Sequence, residues 1–132
     1  MREILFRGKR IDTGEWVEGY YALRTVLFGT IEEEIYPVIE QFNGPVCEVA
    51  PGTVGQYTGL TDKTGKKIFE GDLVCAGSYR IPLLIEFVRY SWGCTNKNLG
   101  RFYLHRLEDD SAKYEVVGNI HDSPELLEEG KW

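Results

Sequence analysis

Val54-Gly55-Gln56-Tyr57-Thr58-Gly59-Leu60-Thr61-Asp62-Lys63-Thr64-Gly65-Lys66-Lys67-Ile68-Phe69-Glu70-Gly71-Asp72-Leu73-Val74 is rich in turn chemistry and poor in catalytic chemistry. Gly55 to Leu60 reads as a short extended segment, and Ile68-Phe69 as its returning partner. Between them, Asp62-Lys63-Thr64-Gly65 has the composition of a hairpin turn. Asp bonds its own backbone there, and Gly accepts a left-handed conformation without a Cβ clash. Glu70-Gly71-Asp72 then turns the chain into Leu73-Val74-Cys75-Ala76. Short strands separated by a glycine turn and an acidic corner are how a small β-barrel is punctuated.

Toward the N-terminus, Ile4 to Arg10 reads as a strand, Asp12-Thr13-Gly14-Glu15 as a turn and Trp16 to Tyr21 as the returning strand. Gly14 supplies the positive φ of that turn. Thr25 to Glu34 carries no clear element, and Glu32-Glu33-Glu34 reads as a solvated face or loop edge. Ile35 to Ile39 reads as a strand. Pro37 removes one ladder donor, which predicts an edge or a strand start. Val46 to Val49 follows, ended by Pro51-Gly52.

Toward the C-terminus, Ile81 to Val88 is the most apolar run, with Pro82 near its beginning. Its β-branched and aromatic content predicts a central strand. Ser91-Trp92-Gly93 reads as a loop that leaves Cys94 exposed. Arg101 to Leu107 and Tyr114 to Ile120 alternate at period two. Ser123 as cap and Pro124 at the first position predict a short helix to Glu129, stopped by Gly130. The fold expected is mainly β: an SH3-like partly open barrel over 51–122, an N-terminal β-hairpin unit over 1–50 packed on it, and a C-terminal helix and tail over 123–132.

A length of 132 residues suits one compact unit or two small units sharing a core. The net charge of -6 argues against strong sequence-independent binding to nucleic acid, which needs Lys and Arg against phosphates. Cys47, Cys75 and Cys94 are odd in number and widely spaced, with no Cys-x-x-Cys. Reduced, mostly buried thiols in the cytoplasm are expected, and no structural zinc site. No segment approaches the ~20 apolar residues of a membrane-spanning helix, so no membrane partner is expected.

With these residues laid out, the chain resembles the YopX family. One block is Ile4-Leu5-Phe6-Arg7-Gly8-Lys9 with Trp16-Val17-Glu18-Gly19. The most specific block runs from Pro51 through Gly59-Leu60, Asp62-Lys63 and Gly65-Lys66 to Ile68-Phe69-Glu70-Gly71-Asp72-Leu73-Val74. The third is Val116 to Leu127. The resemblance implies a small protein carried by phages or prophages of Gram-positive bacteria, an SH3-like β fold and residence in the bacterial cytoplasm. It brings no catalytic site to carry over. His121 stands where the family usually has another aromatic, which argues against a catalytic His121.

The candidate chemistries are thin. Glu70 and Asp72 flank Gly71, and a carboxylate pair serves acid–base catalysis only where one pKa is raised. Bonding the turn backbone is the simpler role. A Cys94–His105 nucleophile pair exists in residue types alone, with no helix N-terminus to activate the thiol. Gly55, Gly59, Gly65 and Gly71 match no phosphate loop, and no cofactor motif occurs. Residues 86–106 stand out more. Arg89, Lys97, Arg101 and Arg106 against Glu86 give a local excess of three positive charges, interleaved with Tyr90, Trp92, Phe102 and Tyr103. The binding face expected is Arg89, Tyr90, Trp92, Lys97, Arg101 and Tyr103. Gly14, Gly65, Glu70, Gly71 and Asp72 are expected as structural turns. The expected function is a non-catalytic protein-interaction module that binds a phage or host protein or a second copy of itself. The alternative is nucleic-acid binding through 86–106, where aromatics would stack on bases beside cations.

Overall fold

The computed structural model describes residues 4–28, 32–42, 44–76, 82–88, 91–96, 100–103 and 114–126, with side chains for these except 25–28, 32–34, 76, 88 and 100–103. Strands dominate, in two antiparallel sheets, and neither closes into a barrel among the described residues. The chain forms two compact units, Met1–Gln56 and Tyr57–Trp132.

The first unit contains β1 (Phe6–Lys9), β2 (Trp16–Phe28), β3 (Glu32–Glu40), β4 (Val46–Glu48), a 3₁₀ turn at Pro51–Thr53 and the start of β5 (Gly55–Thr61). β1 and β2 form a hairpin registered from Phe6–Gly19 to Lys9–Trp16. Its turn is closed by the Gly14 N–H donating to the Arg10 carbonyl at 3.0 Å, with Gly14 at φ 74°. The strand order is β4-β3-β2-β1, and the first residues of β5 lie beside β1. Past β4 the chain returns to the end of β1 through an Arg10–Val49 bridge and an Ala50 N–H bond to the Lys9 carbonyl at 2.9 Å. Val17, Ile39, Cys47 and Val49 make the core, with Phe6 and Val54 against it. The Arg7 guanidinium lies 4.6 Å over the Trp16 ring, a cation–π contact on the hairpin's other face.

Three expectations are corrected here. β2 does not end near Tyr21 but runs to Phe28, and Glu32-Glu33-Glu34 belong to β3 rather than to a loop edge. Nine cross-strand pairs, Tyr20–Glu40 to Phe28–Glu32, hold this ribbon. Pro37 is also neither at an edge nor at a strand start. β3 has neighbours on both sides, but the β4 ladder ends at Val38–Glu48. The Val49 N–H donates to the Pro37 carbonyl at 3.2 Å. A strand residue directs its N–H and C=O to the same side. The missing donor of Pro37 therefore points to where β4 stops, and no pair in the β2–β3 ladder needs it.

The second unit holds β5 from Tyr57 onward, β6 (Lys67–Phe69), β7 (Asp72–Ala76), β8 (Leu83–Val88), β9 (Ser91–Asn96), β10 (Gly100–Tyr103) and β11 (Tyr114–Asn119). β5 and β6 form the hairpin around Gly65. The sheet order is β10-β9-β8-β7-β11. Consecutive Leu73, Val74 and Cys75 are all buried, so β7 is covered on both faces. The core is Ile68, Val74, Leu83, Ile85, Cys94 and Tyr114.

Ser91-Trp92-Gly93 is strand, not loop, and Cys94 is 0% exposed rather than open to solvent. Pairing across Phe87–Trp92 and Ile85–Cys94 overrides the weak strand preference of Ser and Gly. After β11, the Asn119 Oδ1 accepts the N–H groups of His121 and Asp122, and a helical turn begins at Glu125–Leu126. The rest of the expected C-terminal helix, to Glu129, lies outside the described residues.

Candidate functional site

The expected binding face is only partly described. Arg89, Tyr90 and Lys97 lie outside the described residues, as do His105 and Arg106. Trp92 packs against the core cluster and meets Phe87 edge-on, with ring centroids 4.9 Å apart. It shares the sheet face of Ile85 and Cys94. Arg101 and Tyr103 pair with Thr95 and Gly93, positions of the opposite face.

The turn residues have structural partners. Gly65 and Gly71 adopt φ of 88° and 91°. The Asp72 carboxylate is buried and accepts the Phe69 N–H at 2.8 Å. The Gly71 N–H donates to the Ile85 carbonyl at 2.9 Å, and the Gly71 carbonyl accepts the Ile120 N–H at 2.8 Å. This corner thus ties β8 to the end of β11. Asp62 accepts three bonds within its own turn and one from Val116. Partial burial pushes the Asp62 carboxyl up, but these bonds outweigh it and hold its pKa below the ordinary carboxylate value. A general acid needs the opposite shift. Cys47, Cys75 and Cys94 are all buried and form no disulfide. Among the described residues no group of three His, Cys, Asp or Glu side chains could hold a metal. No described helix is long and apolar enough to cross a membrane.

A cleft of about 220 Å³ is lined by Arg10, Ile11, Asp12, Val46, Cys47 and Glu48. Its cation is engaged with its own anion: Arg10 Nε and Nη2 donate to the two Asp12 oxygens at 2.9 and 2.7 Å. That hydrogen-bonded pairing holds the Asp12 carboxyl below its usual pKa and raises that of Arg10.

The surface that sequence reasoning missed is the outer half of the β2–β3 ribbon. The β1 ladder stops at Phe6–Gly19 and the β4 ladder at Val38–Glu48. Beyond them, among the described residues, β2 and β3 pair only with each other. Cross-strand partners share a face, so Tyr21, Leu23, Ile35, Pro37 and Ile39 lie on one side. At the inner end Ile39 is 0% exposed, whereas Leu23 and Ile35 are 61% and 59% exposed. The core face of the sheet thus continues outward as apolar side chains in solvent. Tyr20 and Phe42 are exposed on the other face, their rings 4.9 Å apart. An exposed Arg24–Glu40 pair at 3.9 Å crosses the ribbon on that face. The one available signal was the unbroken apolar run Tyr20-Tyr21-Ala22-Leu23, too irregular for a period-two reading.

No curated protein matches the chain. Among solved structures it is similar to protein EF1440 from Enterococcus faecalis, at 22% identity and a TM-score of 0.54, covering 96% of this chain and 99% of that one. That likeness supports the fold. The description "YopX protein" matches residues 5–128, nearly the whole chain, including the turn-rich blocks around Asp62 and Asp72, and the chain therefore belongs to the YopX family.

Proposed function

We propose that the chain is a non-catalytic protein-interaction module of a phage or prophage, acting in the cytoplasm of the bacterial host through the outer half of the β2–β3 ribbon. The observation that carries this is the core face running into solvent at Leu23 and Ile35. Contiguous exposed apolar surface marks contact sites, and a ribbon whose outer half pairs with no further strand among the described residues suits strand addition. The partner is a phage or host protein or a second copy. The second unit is read as an SH3-like partly open barrel. Catalysis is disfavoured because the turn carboxylates Asp62 and Asp72 serve backbone donors and the three thiols are buried. Among the described residues nothing favours the nucleic-acid alternative: Trp92 is partly buried against the core.

The test is affinity capture from phage-infected or prophage-induced cells, comparing wild type with Leu23→Asp/Ile35→Asp. Both positions are exposed, so the melting temperature should stay close to wild type. Proteins retained by wild type and lost by the variant are the expected result. Equal retention by both overturns the reading. So does recovery of nucleic acid alone, released by salt with a log–log slope of about 0.9 per phosphate contact.

A further inference from the structure

We infer that the Asp62–Gly65 turn is an edge guard: it occupies the outer edge of β11 and keeps that strand from pairing with another. This is independent of the ribbon, because every residue involved lies in the second unit.

β11 ends the sheet order β10-β9-β8-β7-β11, and β7 is its one strand partner among the described residues. Two hydrogen bonds leave β11 on its far side. The Tyr114 carbonyl accepts the Lys63 N–H at 2.8 Å, and the Val116 N–H donates to Asp62 Oδ2 at 3.0 Å. Tyr114 and Val116 lie opposite Ala76 and Val74, with Glu115 opposite Cys75 between them. Backbone groups alternate in direction along a strand, so Glu115 turns toward β7 while Tyr114 and Val116 turn away.

At those two positions a further antiparallel strand would offer one N–H and one carbonyl. The turn offers substitutes for both. Lys63 supplies the N–H from its backbone. The backbone of Asp62 is spent inside the turn, its N–H on the Lys66 carbonyl at 2.8 Å and its C=O on the Gly65 N–H at 3.0 Å. Its carboxylate therefore takes the carbonyl's place. The Lys63–Glu115 ion pair at 3.2 Å also joins turn to strand. Reversing the chain between β5 and β6 requires neither tie, since the bonds within residues 62–66 already close the turn.

The covered strand is one that needs covering. Tyr114-Glu115-Val116-Val117 is rich in strand formers and carries one charge, a composition that makes a bare edge a template for another chain. Past Val116 the register with β7 shifts before Gly118, and a bulge is itself a device that ends pairing at an edge. The bulge thus closes one end of β11 and the turn closes the other.

Sedimentation velocity over rising concentration tests this, with circular dichroism confirming a folded baseline for each variant. Asp62→Ala removes the acceptor for Val116. Lys63→Pro removes the donor to Tyr114 and suits the second position of the turn, so it carries the test if Asp62→Ala does not fold. Ile85→Ala is the control: it opens a cavity at a buried core position and leaves both ties in place. Asp62→Ala and Lys63→Pro should associate at concentrations about tenfold or more below wild type, and Ile85→Ala should follow wild type. In associated Asp62→Ala the Val116 amide should exchange with solvent more slowly than at low concentration. Guard variants that associate no more than wild type overturn the inference. So does equal association of Ile85→Ala, which would make lost stability the cause, and so does an associated Asp62→Ala whose Val116 amide stays unprotected.

Discussion

The Asp62 carboxylate accepts the backbone N–H of Val116, 54 residues away, at 3.0 Å. Its other oxygen accepts the Thr64 N–H at 2.8 Å, the Thr64 hydroxyl at 2.7 Å and the Lys66 N–H at 3.0 Å. The Lys63 N–H donates to the Tyr114 carbonyl at 2.8 Å, so the whole turn is clamped to β11. One side chain thus closes a local turn and carries a long-range tie.

Asp62→Ala should destabilise the second unit by about 2–4 kcal/mol, since several donors lose a charged acceptor at a largely buried site. The effect should depend on pH. The folded pKa of Asp62 lies below its ordinary value of 3.8, so its stabilisation is fully present above that value. The stabilisation is lost as pH falls from 3.8 through the folded pKa. Wild type and Asp62→Ala should therefore differ most at neutral pH and converge in acid. Thermal unfolding across pH 7 to below 3.8 measures this, and a constant difference would count against the clamp.

Gly65 and Gly19 should fail for different reasons when a Cβ is added. At Gly65 nothing lies within 4 Å of the added atom, but φ is 88°. Gly65→Val should cost about 1–2 kcal/mol through backbone strain, and Gly65→Asn less, because Asn tolerates the left-handed region. At Gly19 the added Cβ would meet the Glu40 carbonyl oxygen at 2.1 Å. Gly19→Ala should cost about 1–3 kcal/mol or more by forcing β2 and β3 apart. Denaturant titration of the set checks the order; a harmless Gly19→Ala would show that the close approach relaxes freely.

Thiol reactivity should report folding. Cys47, Cys75 and Cys94 are buried, and buried thiols in apolar surroundings are inert. A disulfide reagent should label none rapidly in native protein and all three after denaturation without reductant. Finding only one reactive thiol in denatured protein would mean that a disulfide had formed.

Turn chemistry was legible because it is local. Asp62 and Gly65 each act on backbone within their own four-residue turn, so residue type alone reveals them. The same locality exposed the Glu70-Gly71-Asp72 corner and the hairpin at Gly14, and the spacing of these blocks carried the family resemblance. What Asp62 does with its second oxygen was not legible, because Val116 approaches it only after the unit has folded.

The ribbon illustrates the other limit. Period-two alternation appears where one face of a strand is buried and the other is wet. Tyr20-Tyr21-Ala22-Leu23 lies beyond its outer neighbours, so both faces carry apolar residues and the alternation is lost. Residues 22–28 become strand because β3 supplies the hydrogen bonds, not because their pattern demands it. Pro37 and Cys94 follow the same logic. Which side a missing donor faces, and whether a Ser-Trp-Gly run pairs, depends on neighbours distant in sequence. Residue chemistry decided the turns, the β-rich class and the family. Strand pairing decided where each backbone group points, and so why Cys94 is shielded and why Trp92 is spent on packing.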